Sequence, residues 1–97
     1  MSIQVESELI IEVREPKNYI VYMLNDDYTS WDFCLRIITS VFHKTVEEAD
    51  KITHEIHTKG RGFCGIYTYE VAETKAETVR QEARKEGFPM KCAIEEM

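Results

Sequence analysis

The stretch Asn25-Asp26-Asp27-Tyr28-Thr29 marks the point at which the chain changes from a strand to a helix. An apolar run over residues 19–24 precedes it, and a segment with helical spacing begins near Ser30. Asn, Asp and Thr favour such turns because their side chains bond to the local backbone. Thr29 or Ser30 is suited to cap the following helix, and Asp32 suits its positive N-terminus.

Asp26 and Asp27 also form an anionic cluster with little positive charge nearby in sequence. The nearest cationic side chains along the chain are Lys17 and Arg36. Such a cluster is suited to receive a cation, either a metal ion or a protonated amine. A capped strand-to-helix turn explains the same residues without any ligand, so both interpretations stay open at this point.

The composition is typical of a small globular domain. The chain has 97 residues, of which 43% are hydrophobic and 31% are charged, so we expect one domain with a modest core. No apolar run approaches the roughly 20 residues of a membrane span, and the N-terminus lacks the features of a secretory signal. We therefore expect a cytoplasmic protein without a membrane segment. The net charge of −6 argues against nucleic-acid binding, which needs a basic face.

The three cysteines, Cys34, Cys64 and Cys92, are odd in number and form no C-x-x-C motif. Cysteines in this pattern are typically small buried hydrophobic residues in a reducing compartment. We expect all three to pack in the interior as free thiols.

The hydrophobic pattern predicts six elements in the order β-α-α-β-α-β. Three short strands around one core bury one face of their sheet, so the expected fold is an α+β two-layer sandwich, with a three-stranded sheet and three helices on one face. Residues 1–17 are expected to form an N-terminal arm and residues 18–97 the core domain. The predicted elements are a strand over 18–24, helices over about 30–42 and 45–59, a strand over 63–69, a helix over 70–87 and a strand over about 90–95.

The second helix carries the clearest local signals. Thr45 lies three residues before Glu48, which is the spacing of a capping box. His57 lies one helical step past Thr53, at the end of the predicted inner face of this helix. That face is predicted to consist of apolar and small side chains: Val46, Ala49, Ile52, Thr53 and Ile56. The mixed charges of the third helix, including Glu70 and Lys75, are typical of a solvated face.

Signals for catalysis or metal binding are weak. His54 and His57 are three residues apart on a predicted helix, which would allow a shared metal ion, but no H-E-x-x-H motif is present. Adjacent carboxylates such as Asp26 and Asp27 can shift each other's pKa, although neighbours in sequence usually point apart. No Ser or Cys lies in a motif that would activate it as a nucleophile. We expect no enzymatic activity, no metal and no cofactor.

Recognition of a ligand is the remaining function class. Apolar residues of several predicted elements would surround a cavity, and polar residues would form its rim. Such a site suits a large hydrophobic side chain attached to a free ammonium group. The predicted wall consists of Met23, Trp31, Cys34, Thr53, Ile56 and Met90, and the predicted rim of Asn25, Asp26, Asp27 and His57.

The chain resembles the ClpS family, adaptors that deliver N-degron substrates to the Clp AAA+ protease. The resemblance covers about residues 18–96, and the combination of Asn-Asp-Asp-Tyr-Thr with Glu-Val-Ala-Glu-Thr-Lys at this separation is specific. The matching residues are Tyr19, Val21, the stretch 25–29, Phe33, Ala49, His57, Gly60, Cys64-Gly65, the stretch 70–75, Pro89 and Cys92.

The resemblance implies a non-enzymatic adaptor with the fold expected above. It implies that a substrate's N-terminal Leu, Phe, Tyr or Trp enters the pocket, and that the partner is the N-terminal domain of a Clp unfoldase. It places unfoldase docking at Glu70 and Lys75. It assigns binding of the α-amino group to Asn25, Asp26, Asp27 and His57, and the side-chain pocket to Met23, Thr29, Trp31, Cys34, Thr53, Ile56 and Met90.

Two predicted pocket residues, Trp31 and Thr53, depart from the family pattern, and so does Ser30. Ser30-Trp31 stands where the family usually has Pro-Met, and that Met is the residue that excludes β-branched side chains. Thr53 stands where the family often has Met. Trp is larger and stiffer than Met and able to stack on an aromatic guest, so we expect an altered preference among Leu, Phe, Tyr and Trp. The N-terminal arm is also shorter than in many members.

Two alternatives to a cargo-carrying adaptor remain. One is a small metal-dependent enzyme that uses Asp26, Asp27 and His57. The other is a modulator that docks on the unfoldase through Glu70 and Lys75 without carrying cargo.

Overall fold

The computed structural model describes residues 17–97, so the predicted arm lies outside the described residues apart from Lys17. Its element order confirms the predicted β-α-α-β-α-β sequence and the α+β sandwich. The elements are β1 (Asn18–Leu24), α1 (Trp31–Phe42), α2 (Val46–Lys59), β2 (Arg61–Thr68), α3 (Tyr69–Lys85) and β3 (Lys91–Glu96).

β1 is the central strand of one antiparallel sheet with the order β2-β1-β3. Val21 and Met23, two residues apart and therefore on one face of the strand, are completely buried, whereas Tyr22 between them is only partly covered. The three helices lie on the buried face and enclose a single core. The polar residues that follow β1 consequently emerge at the end of the central strand.

Local capping fixes where the first two helices begin. The Ser30 hydroxyl accepts a hydrogen bond from the Phe33 N–H at 3.1 Å, so Ser30 rather than Thr29 caps α1. The capping box before α2 is confirmed, with Thr45 and Glu48 exchanging hydrogen bonds of 3.1 and 2.9 Å. Both helices therefore start where the sequence predicts.

α2 ends at Gly60 and packs tightly against β2. Gly60 adopts φ 91° and its N–H donates to the Ile56 carbonyl at 3.0 Å, which closes the helix with a left-handed residue. A Cβ at Gly62 would lie 2.6 Å from Cγ1 of Ile56 and 2.9 Å from the carbonyl oxygen of Ile52. Glycine at position 62 therefore allows the strand backbone to approach the helix.

Several predicted boundaries and one predicted core residue were wrong. β2 starts at Arg61 rather than Phe63 because Leu24 at the end of β1 pairs with it. α3 ends at Lys85 because the Phe88 N–H turns back to a helix carbonyl and Gly87 takes φ 79°. Val46 is 72% exposed, since it is the first residue of α2 and burial on that helix begins three residues later.

Within residues 17–97, no helix has the length and apolarity needed to cross a membrane.

Candidate functional site

The turn after β1 is bonded directly to the end of α2. The Asn25 N–H donates to the Gly60 carbonyl at 2.9 Å. This bond brings the predicted rim residues of the turn to the same corner of the molecule as His57, which lies in the last turn of α2. Asn25 and Asp27 are exposed at this corner, and Asp26 is half-buried.

The Asp26 carboxylate organises the turn. One oxygen, Oδ1, accepts hydrogen bonds from the Tyr28 N–H at 2.8 Å and the Thr29 N–H at 2.7 Å. The other oxygen, Oδ2, accepts from the Thr29 hydroxyl at 2.7 Å. A carboxylate offers about four acceptor positions, so Oδ2 keeps one for a further donor.

The environment of Asp26 favours its charged form. Partial burial raises the pKa of this carboxyl, but the hydrogen bonds from Thr29 and Tyr28 and the charge of His57 together outweigh burial. The net result is a pKa below the ordinary value for aspartate. Asp26 is therefore a fixed negative charge at neutral pH, within electrostatic reach of His57.

His57 is oriented by two contacts. Its Nδ1 lies 2.9 Å from the Thr53 carbonyl oxygen, and because a carbonyl only accepts, Nδ1 carries the hydrogen. Trp31 covers one face of the imidazole, with ring centroids 4.8 Å apart and an interplanar angle of 32°. In the neutral ring, the remaining nitrogen, Nε2, is then an acceptor.

The residues predicted to line the side-chain pocket all lie in the interior, except for Trp31. Four of them are inaccessible to solvent, Thr29 and Met90 are 8% and 5% exposed, and Trp31 is half-exposed. Four surface depressions lie at the start of β1, between α1 and α3, along α2 and along α3. None of these four is lined by a predicted pocket residue. The four inaccessible residues are Met23, Cys34, Thr53 and Ile56.

Thr53 contributes an apolar group to this interior despite its hydroxyl. The hydroxyl donates to the Ala49 carbonyl one turn earlier at 2.8 Å, and it is therefore satisfied within α2. The side chain consequently adds a methyl group to the core, where a larger residue would fill more space.

Trp31 makes a second ring contact, which was not predicted. Its indole meets His54 edge-on, with centroids 4.6 Å apart and an interplanar angle of 78°. His54 and His57 thus share an aromatic partner. Within residues 17–97, no three His, Cys, Asp or Glu side chains are placed to hold a metal ion.

Glu70 and Lys75, the predicted docking residues, have different surroundings. Glu70 is exposed in the first turn of α3 and borders a depression of about 440 Å³ beside Lys17, Tyr19 and Tyr69. Five residues on a helix correspond to a rotation of roughly 140°, so Lys75 projects from another side of α3.

The interpretation of Lys75 as part of a solvated face was wrong. Its ammonium group donates to the Val41 carbonyl at 2.7 Å and lies 5.9 and 5.2 Å from the ring centroids of Phe42 and Tyr67. α1 has no basic residue in its own last turn. Lys75 supplies the positive charge that the C-terminus of that helix favours.

The three cysteines are buried free thiols, as predicted. Burial raises the pKa of Cys34 to about 11 and that of Cys92 to about 12, and it also raises the pKa of Cys64. Thiols in this state are poor nucleophiles because the thiolate is scarce. They act as packing residues.

Comparisons with known proteins agree on one family. A family model described as ATP-dependent Clp protease adaptor protein ClpS matches residues 14–93. The adapter protein ClpS of Nitratidesulfovibrio vulgaris (strain DSM 19637 / Miyazaki F) is 48% identical over 94 residues, which cover 95% of this chain and 94% of the relative. That of Helicobacter hepaticus is 49% identical over 92 residues, which cover 95% of this chain and 93% of the relative.

A solved structure agrees with these matches. The structure of Agrobacterium tumefaciens ClpS2 bound to L-phenylalaninamide superimposes with a TM-score of 0.83 at 29% sequence identity, covering 86% of this chain and all of that one. The sequence matches span nearly the whole chain, and the fold is shared. The chain belongs to the ClpS family of adaptors of the ATP-dependent Clp protease.

Proposed function

We propose that this protein binds polypeptides through an N-terminal Leu, Phe, Tyr or Trp and delivers them to a Clp AAA+ unfoldase in the cytoplasm, without catalysing a reaction itself. One observation carries the proposal: the hydrogen bond between Asn25 and Gly60 holds the Asp26 carboxylate and the His57 imidazole at one corner. The ligand of the related A. tumefaciens structure, L-phenylalaninamide, combines a bulky aromatic side chain with a free α-amino group.

The rim supplies acceptors to a protonated α-amino group. An ammonium group has three donors and no acceptor. Asp26 Oδ2 has a free acceptor position. In the neutral imidazole of His57, Nε2 is an acceptor, since Nδ1 carries the hydrogen that the Thr53 carbonyl accepts. Charge-assisted bonds of this kind are about twice as strong as neutral ones. Exposed Asn25 and Asp27 add an amide oxygen and a second carboxylate at the same corner.

The adjoining interior supplies the side-chain pocket. Its residues come from β1, the turn after β1, α1, α2 and the segment before β3. The hydroxyl of Thr53 donates within α2, and the hydroxyl of Thr29 donates to Asp26. Burial of one large hydrophobic side chain contributes about 1.5–3 kcal/mol. The relative affinities for N-terminal Leu, Phe, Tyr and Trp would depend on Trp31 and Thr53, the two pocket residues that differ from the family pattern.

Docking on the N-terminal domain of the unfoldase would use the start of α3. Glu70 there is flanked by Tyr69 and Val71, which are 49% and 43% exposed. Exposed apolar side chains beside a charge are typical of a protein-binding surface. Lys75 would contribute by holding α1 against α3 through its bond to Val41, in addition to any direct contact.

A degradation assay tests delivery. The reporter would be one protein carrying either Phe or Ser at its N-terminus, incubated with the Clp unfoldase and peptidase. We expect this protein to accelerate loss of the Phe reporter and to leave the Ser reporter unaffected. Equal effects on both reporters would contradict selective delivery.

The closed interior pocket favours one second candidate, a modulator that docks without cargo. Its four central residues are inaccessible to solvent. Such a modulator would bind the unfoldase through Glu70 but would leave degradation of the Phe reporter no faster than in its absence.

A further inference from the structure

The side-chain pocket cannot accept a guest in the conformation described here. Met23, Cys34, Thr53 and Ile56 are each 0% exposed, so not even a water molecule reaches them. A large hydrophobic side chain therefore needs a neighbouring group to move. This argument rests on the function proposed above.

Trp31 is the wall residue best placed to move. It is the first residue of α1, and it is half-exposed while the other wall residues are nearly or completely buried. Its indole lies on α2, against the face of His57 and the edge of His54. Met23, Cys34, Ile56 and Met90 are packed in the core cluster. Thr29 is bonded to Asp26, and Thr53 is buried and bonded to Ala49.

His54 holds the outer side of the indole. It projects from the exposed side of α2, with 62% of its side chain accessible, and is one turn away from Asp50, whose carboxylate oxygen lies 3.6 Å from Nε2. The hydrogen bonds of Asp26 and His57 described above do not involve His54. The contact between His54 and Trp31 would be lost if the indole moved away from α2.

We infer that Trp31 is a movable lid over the pocket and that His54 is a positioning residue that holds the lid closed. A guest must displace the indole from both histidines. Affinity is reduced by the fraction of molecules that are closed. Removal of the His54 ring should therefore tighten binding, although His54 makes no contact with the guest.

The test measures affinity and association rate for a peptide that begins with Leu and lacks aromatic residues. Compared with wild type, His54→Ala should bind about two- to tenfold more tightly, and mainly faster, which corresponds to the loss of one aromatic contact. His54→Phe restores a ring and should return to the wild-type values. Lys51→Ala, an exposed neighbour on the same helix, should leave them unchanged.

Fluorescence reports the lid directly because the chain has a single tryptophan. Saturation with L-leucinamide should shift Trp31 emission, and ligand-free His54→Ala should already be shifted in the same direction. Unchanged or weaker binding by folded His54→Ala, or no emission change in a saturated wild-type sample, would overturn the lid.

Failure of cargo binding and failure of the Trp31 lid would give different experimental results. If neither wild type nor Trp31→Ala binds any peptide with a bulky N-terminal residue, the proposed function is wrong. The inference that Trp31 is a lid is then wrong as well. If Trp31→Ala binds and wild type does not, both the pocket and a strongly closed lid are supported. If wild type binds and His54→Ala gains nothing, only the lid is wrong.

Discussion

The Nδ1 atom of His57 lies 2.9 Å from the carbonyl oxygen of Thr53, one turn earlier in α2. This contact determines which nitrogen of the imidazole carries the hydrogen. It leaves Nε2 as an acceptor at the corner where Asp26 holds its negative charge. The backbone of a helix thereby orients the side chain that we propose binds the α-amino group.

Replacement of His57 should weaken binding without unfolding the protein. His57→Ala removes one acceptor of a charged donor, a bond worth about 1.5–3 kcal/mol, or a loss of roughly 10- to 150-fold in affinity for a free-amine peptide. Titration of a labelled peptide measures the loss. Thr58→Ala, an exposed neighbour, is the control. Equal affinities of His57→Ala and wild type would show that the imidazole accepts no bond from the guest.

Asp26 should combine a structural and a ligand-binding role, which two substitutions separate. Asp26→Ala removes the acceptor of two backbone N–H groups, so we expect a loss of about 0.5–2 kcal/mol in the free energy of unfolding, as for a lost helix cap. Asp26→Asn keeps an acceptor oxygen but removes the charge. It should retain most of the stability and still lose peptide affinity.

The stability contributed by the Asp26 charge should depend on pH. Its pKa is lower in the folded protein than its ordinary value, so the folded state favours the charged form. The contribution is present above the unfolded pKa and is lost as the pH falls through the folded pKa. Urea unfolding of wild type and Asp26→Asn should therefore differ most near neutral pH and converge in acid. A gap that widens in acid would contradict the assigned sign.

Replacement of Lys75 should lower the free energy of unfolding of the isolated protein, in addition to any effect on docking. Lys75→Met removes the ammonium group from the Val41 carbonyl and from the rings of Phe42 and Tyr67, and we expect a loss of about 1–2 kcal/mol. Urea unfolding measures the change. Lys85→Met, at an exposed ion pair on the same helix, should have little effect. Equal free energies of unfolding for Lys75→Met and Lys85→Met would show that Lys75 has no structural role.

Trp31 should set the preference among guests. In Trp31→Met the wall of the pocket regains a flexible side chain, and the ring that stacks on aromatic guests is lost. Affinities for peptides that begin with Leu, Phe, Tyr or Trp should follow a different order in the variant and in wild type. The same order in both proteins would show that position 31 does not control selectivity.

Local sequence signals predicted the elements well because their causes are local. The capping box at Thr45 and the cap at Ser30 involve residues three positions apart, and both were confirmed. The two-layer arrangement followed from three apolar runs and the need to cover one face of the sheet. Val46 was misassigned because a hydrophobic stripe shows which side of a helix faces inward but not where along the helix the core begins.

Contacts between elements could not be predicted from the sequence. The bond from Lys75 to Val41 spans 34 residues, and its only signal is the missing basic residue at the end of α1. The spacing of His54 and His57 allows a shared metal ion, but it does not predict that both rings contact Trp31 on another helix. The rim residues were grouped from the predicted elements, whereas their role in binding an α-amino group was assigned through the family resemblance.

The central claim is that a free α-amino group is recognised beside the pocket. Fluorescence anisotropy of one labelled peptide beginning with Phe, compared with the same peptide acetylated at its N-terminus, tests it most directly. Acetylation removes the positive charge and with it the charge-assisted hydrogen bonds to the rim, each worth about 1.5–3 kcal/mol. We expect the free peptide to bind and the acetylated one to bind at least about tenfold more weakly. Equal binding of the two peptides, or no binding of either to the folded protein, would contradict the account.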